Sequence, residues 1–114
     1  MTTIYHNPRC SKSRQTLALL HDKQVDPKVV EYLKSPPTSG ELKQILKLLG
    51  ITPRALLRSK EPEYQALGLD DPTLSDDAII EAMVNTPKLM ERPIVIHAGK
   101  AAIGRPPELV LKLF

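Results

Sequence analysis

Cys10 is the only cysteine among 114 residues, and its surroundings point to chemistry. Thr3-Ile4-Tyr5 reads as a short strand of β-branched and aromatic residues. His6-Asn7-Pro8-Arg9 reads as a loop, because Asn and Pro favour turns. Gln15-Thr16-Leu17-Ala18-Leu19-Leu20 reads as a helix. Cys10 therefore falls in a strand-to-helix turn. Free N–H groups and the macrodipole favour a thiolate there. His6, Arg9, Lys12 and Arg14 lie within four residues of it and add positive charge if they point at the sulfur. A lone cysteine is more often a small core residue, but a core cysteine belongs on an apolar face. This one sits among polar and basic residues, which favours a nucleophile.

The sheet that must position this turn follows from the rest of the chain. Lys28-Val29-Val30-Glu31-Tyr32 is a second strand candidate, and strand, helix, strand makes a right-handed parallel βαβ unit. Thr38-Ser39-Gly40-Glu41 has capping-box spacing ahead of Leu42, Ile45, Leu46 and Leu49, with Gly50 as the C-cap. Thr52-Pro53 opens another helix running through Arg58. Glu63 to Leu67 is a short helical piece, and Ser75 caps a helix carrying Ile79, Ile80, Met83 and Val84 up to Pro87. Pro93-Ile94-Val95-Ile96-His97 and Ala101-Ala102-Ile103 pair as a hairpin, and Arg105-Pro106-Pro107-Glu108 starts a last helix. The expected fold class is α/β, a mixed four-stranded sheet flanked by helices.

Arg58, Arg92 and Arg105 sit at element ends, and in this topology one end of the sheet collects His6, Cys10, Arg92 and Arg105. Guanidinium forks bind tetrahedral oxyanions, and a thiolate at their centre would face the bound atom. Taken singly, each arginine reads more simply as a surface charge. Cys10-x-x-x-Arg14 is too short for the phosphatase loop of cysteine, five residues and arginine. Cys10-Ser11-Lys12-Ser13 keeps the attacking thiol of a thioredoxin-like pair and replaces the resolving one with serine. His6 and Cys10 are too few ligands for zinc, so no metal is expected. Glycine-rich phosphate loops are absent.

Composition sets the frame. The chain is 41% hydrophobic and 25% charged, as a single globular domain would be. A net charge of +3, dispersed along the chain, gives no reason to expect nucleic acid. No apolar run is long enough for a membrane span, so no membrane partner and a cytoplasmic location are expected. One cysteine makes no internal disulfide, and any redox cycle must recruit an outside thiol.

The run Tyr5-His6-Asn7-Pro8-Arg9-Cys10-Ser11-Lys12-Ser13-Arg14 resembles the active-site loop of the glutaredoxin-linked arsenate reductase family. Arg54-Ala55-Leu56-Leu57-Arg58, Glu91-Arg92-Pro93-Ile94-Val95 and Gly104-Arg105-Pro106-Pro107-Glu108 extend the resemblance, in the family's order, over essentially the whole chain. The Cys-Ser-Lys-Ser-Arg run is similar to that of chromosomal relatives. The resemblance implies a thioredoxin-like domain over residues 1–114, with a helical insertion between strands 2 and 3 at about 33–90. It implies catalytic Cys10, oxyanion-binding Arg58, Arg92 and Arg105, thiolate-supporting His6 and Ser13, and a cis bond before Pro93. The implied activity is reduction of arsenate to arsenite, with glutathione as co-substrate, glutaredoxin as partner and no tightly bound cofactor. Two alternatives stand beside it: an Spx-like regulator of RNA polymerase, which shares the fold, and a monothiol oxidoreductase acting on glutathionylated substrates.

Overall fold

The computed structural model describes residues 1–114. The chain divides into two compact units, Met1–Ser35 with Arg92–Phe114, and Pro36–Glu91.

The first unit holds the sheet. Strand β1 (Thr2–His6) is followed by helix α1 (Ser11–Asp22) and strand β2 (Lys28–Glu31). β1 and β2 are parallel, with Ile4 opposite Val29 and His6 opposite Glu31. This is the βαβ unit that the sequence predicts. The chain returns to the sheet as Ile94–His97 and Lys100–Ile103, giving the sheet order β2, β1, Ile94–His97, Lys100–Ile103. The two returning strands are antiparallel, and Ile94–His97 also runs antiparallel to β1. Ala98 and Gly99 close this hairpin with φ of 50° and 77°. Two successive left-handed residues match the twist of the flanking strands. Strand alternation puts Ile4 and Val95 on one face. There they form a fully buried cluster with Leu20 of α1 and Val110 of the C-terminal segment.

That segment departs from expectation. Pro107–Leu113 is a 3-10 helix. Its turns close through i→i+3 bonds such as Leu109 N–H to the Pro106 carbonyl at 3.1 Å, the tighter ladder that short terminal helices often adopt. The first returning strand begins at Ile94 and not at Pro93. Pro93 still contributes its carbonyl, which accepts from Gly104 N–H at 2.9 Å.

The second unit is helical. Helix α2 (Ser39–Leu49) has the predicted capping box, with Thr38 Oγ1 accepting from Glu41 N–H and Glu41 Oε1 from Thr38 N–H. Gly50 ends it in the left-handed conformation, φ 68°. Helix α3 (Pro53–Leu56) is shorter than expected and stops two residues before Arg58. The chain there pairs its backbone elsewhere: Leu57 bridges Met90, Arg58 N–H donates to the Leu89 carbonyl, and Glu91 N–H donates to the Leu56 carbonyl. Helices α4 (Pro62–Ala66) and α5 (Asp76–Asn85) follow, the latter capped by Ser75, and Pro87–Leu89 forms one 3-10 turn. Leu42, Ile45, Leu56, Ile79, Met83 and Leu89 are the buried side chains that hold this unit together.

Candidate active site around Cys10

With the returning strands labelled β3 (Ile94–His97) and β4 (Lys100–Ile103), the site lies where β1 ends, α1 begins and β4 ends. Cys10 is the N-cap of α1. Its carbonyl accepts the first helical bond, from Arg14 N–H at 3.0 Å, while its side chain makes no capping bond. A serine or aspartate in this position would spend its oxygen on the helix. Cysteine leaves its sulfur beside unpaired N–H groups, in a favourable place for negative charge. Cys10 as a whole residue is 8% exposed.

The loop before it is rigidly bonded. Cys10 N–H donates to the Asn7 carbonyl at 3.0 Å, and Arg9 N–H to Asn7 Oδ1 at 3.0 Å. Asn7 N–H in turn donates to Ser13 Oγ at 3.0 Å, and Ser13 Oγ lies 2.7 Å from His6 Nδ1. Ser13 is fully buried and His6 is 6% exposed. Burial holds the His6 imidazole below its ordinary value of 6.5, with Arg14 pushing the same way and Glu31 opposing. Burial therefore favours the neutral imidazole over the charged one at this site. Arg14 braces the loop, donating from Nη1 to the Pro8 carbonyl at 2.9 Å.

The cation that reaches the sulfur comes from the far end of the chain. One edge of the Arg105 guanidinium spans two acceptors, with Nε donating to the Arg92 carbonyl at 2.9 Å and Nη2 lying 3.8 Å from Cys10 Sγ. Arg92 differs: its Nε and Nη1 are buried and donate to no acceptor in the protein. Buried guanidinium donors without acceptors are costly, and a bound anion is the group that would satisfy them. The Arg92–Pro93 bond is cis, as the resemblance implies, and so is Arg105–Pro106.

Sequence reasoning placed Cys10, His6, Arg92 and Arg105 at one sheet end, and the first unit brings them there. Arg58 lies in the second unit, where its guanidinium pairs with Glu61 and Glu91. Lys88 extends this cluster to Glu63 at 2.8 Å, and that hydrogen bond holds the Glu63 carboxyl below the usual carboxylate range. Gly104 escaped the sequence reading as a site residue. A Cβ at this position would lie 2.5 Å from Thr16 Oγ1 and 2.9 Å from Pro93 Cγ. Only glycine lets the chain ahead of Arg105 pass between α1 and Pro93.

The ArsC family profile matches residues 5–113. This chain belongs to the ArsC family. Among its ArsC relatives, the uncharacterized protein YfgD of Escherichia coli (strain K12) is 57% identical over 111 residues, covering 96% of this chain and 93% of that one. An arsenate reductase of Neisseria meningitidis serogroup A is 50% identical over 106 residues, covering 92% and 91%. The solved structure of an arsenate reductase from Vibrio cholerae superposes with a TM-score of 0.97 at 51% identity, covering 99% of this chain and 97% of that one. The ArsC fold here is thioredoxin-like, an α/β arrangement with a mixed four-stranded sheet.

Proposed function

We propose that this ArsC protein reduces arsenate to arsenite through Cys10, with glutathione and glutaredoxin supplying the electrons. The observation that carries the reading is the pairing of a thiol at a helix N-cap position with two unlike arginines. Arg105 lies against the sulfur, and Arg92 holds two buried donors that no protein group accepts. The names of the Neisseria and Vibrio relatives support arsenate as the oxyanion.

Arsenate docks against Arg92 and Arg105, whose donors offset its charge and orient one As–O bond away from the sulfur. The Cys10 thiolate attacks arsenic, an S–As bond forms, and one oxygen leaves as water after protonation. A second thiol must come from outside, because the chain holds one cysteine. Glutathione forms a second S–As bond and a second oxygen leaves as water. A glutaredoxin thiolate then takes the glutathionyl sulfur as a mixed disulfide. That S–As electron pair stays on arsenic, which becomes As(III). Water releases arsenite and restores Cys10. The net balance is one arsenate and two external thiols giving one arsenite, one disulfide and one water. Arg58 is the third oxyanion ligand that the resemblance implies, and its role is decided by substitution.

The experiment is a coupled assay in which arsenate-dependent NADPH oxidation is followed through glutathione reductase. Omitting glutathione or glutaredoxin should each stop turnover, read in these two controls as arsenite formed, since NADPH oxidation itself requires glutathione disulfide. Turnover that continues without either thiol donor would overturn the electron route. A monothiol oxidoreductase would instead turn over a glutathionylated substrate with no arsenate present.

A further inference from the structure

Beside the Cys10 loop, on its β2 side, is a cleft of about 290 Å³ that the steps above leave unused. Its lining includes His6, Arg9, Glu31, Leu33 and Lys34. Three features give it the character of a binding site. His6 lines it from the end of β1, more than nine-tenths buried and held through Nδ1 by Ser13 Oγ. Arg9 contributes a guanidinium that makes no ion pair in the fold, its backbone N–H alone being engaged, by Asn7. Glu31 and Lys34 approach only to 3.8 Å, with side chains 44% and 81% exposed. A pair so loose and so hydrated is worth little by itself, and its members can turn to a ligand.

We propose that this cleft binds the thiol co-substrate, a small peptide thiol bearing two carboxylates and one ammonium group. This rests on the proposed function only in taking an external thiol to be the reductant. The charges match in number as well as sign. Arg9 and Lys34 each meet a carboxylate, Glu31 meets the ammonium, and Leu33 supplies an apolar wall. Position also fits. Arg9 and Cys10 are consecutive, so their Cα atoms are about 3.8 Å apart. A tripeptide held over residues 6–9 therefore sits on the loop that leads directly into Cys10. The volume lies just below the range usual for small-ligand sites, roughly 300–1,000 Å³.

The test reads binding apart from turnover. S-methylglutathione, which has no free thiol, is titrated into the isotope-labelled full chain and followed by amide shifts. The expected result is saturable shifts at Asn7, Arg9, Glu31 and Lys34, with the diester of the same probe binding about tenfold more weakly. Reversing both cations, with Arg9→Glu and Lys34→Glu together, should erase the preference for the free acid over the diester. In arsenate reduction the same double variant should raise the ratio of the glutathione KM to the 2-mercaptoethanol KM by about tenfold. Both positions are exposed, so the fold should tolerate the changes. Shifts confined to other residues, equal binding of acid and diester, or an unchanged KM ratio would each overturn the cleft assignment. If the probe binds as expected while arsenate is not reduced with any thiol, the cleft stands and the proposed function falls.

Discussion

Arg105 is bonded to the backbone of Arg92, Nε–H to carbonyl oxygen at 2.9 Å, and the same guanidinium edge brings Nη2 to 3.8 Å from Cys10 Sγ. One side chain thus sets the spacing between the thiol and the segment that carries the second arginine. Lysine keeps the charge but has a single nitrogen and cannot span both acceptors. Arg105→Lys should therefore lower arsenate turnover by about 10- to 100-fold, from a charge-assisted bond worth roughly 1.5–3 kcal/mol. Labelling of Cys10 by iodoacetamide, which binds no oxyanion, should fall much less. Equal losses in the two rates would reduce Arg105 to a support of the fold.

Gly104 makes a separate, structural prediction. Adding a methyl group there forces Thr16, Pro93 or the β4 end to move, since the new Cβ would stand 2.5 Å from Thr16 Oγ1 and 2.9 Å from Pro93 Cγ. Gly104→Ala should cost about 1–3 kcal/mol, the usual range for overpacking. Thr16→Ala removes the closest of these atoms, so the double variant should lose less than the sum of the two single variants. Urea denaturation of the four proteins measures this. Strict additivity would mean that the backbone shifts away without engaging Thr16.

His6 predicts how stability depends on pH. Burial holds its imidazole below 6.5 in the fold, so the unfolded chain binds more protons between the two values. Stability tied to neutral His6 is complete above about pH 6.5 and drains as pH falls toward and through the folded value. The imidazole should titrate below 6.5 by NMR. The urea midpoint should drop more steeply from pH 8 to pH 5 in the wild type than in His6→Asn. A titration midpoint at or above 6.5 would show that a charged imidazole is accepted in the site.

Arg58 tests whether pairing with carboxylates is its whole role. It is bound by Glu61 and Glu91, and lysine can keep those charge contacts while losing fork geometry. Arg58→Lys should raise the arsenate KM by about tenfold if Arg58 also serves the oxyanion. A lowered melting temperature with an unchanged KM would confine Arg58 to its carboxylate cluster.

The parts of this fold that were legible in the sequence are those written in adjacent residues. The βαβ unit shows in β-branched runs flanking Leu17 and Leu20. The capping box shows in the spacing of Thr38 and Glu41, and Cys10 at a helix start follows from the Asn-Pro turn before it. The contacts that define the site join residues far apart in the chain: Arg105 and Cys10 are 95 positions apart. Nothing local announces which edge of a guanidinium will face a sulfur. The shortened α3 has a similar cause. Thr52-Pro53 marks its start well, but its end is set by backbone pairing of residues 56–58 with residues 89–91, a tertiary competition that no local propensity records. The C-terminal 3-10 helix is not written in its prolines, since Pro53 and Pro62 open α-helices from the same first-turn position. The downward push on the His6 imidazole is not legible in the sequence, because it comes from burial that only the fold creates.

The central claim is that Cys10 is the nucleophile that takes arsenate to arsenite. The most direct measurement is arsenite formed from arsenate, separated chromatographically, in the presence of glutathione and glutaredoxin, by wild type and by Cys10→Ser of matched thermal stability. Arsenite should accumulate with the wild type in proportion to enzyme, and the variant should give only the rate of the thiols alone. Equal arsenite from both proteins, or none above that background from the wild type, would contradict it.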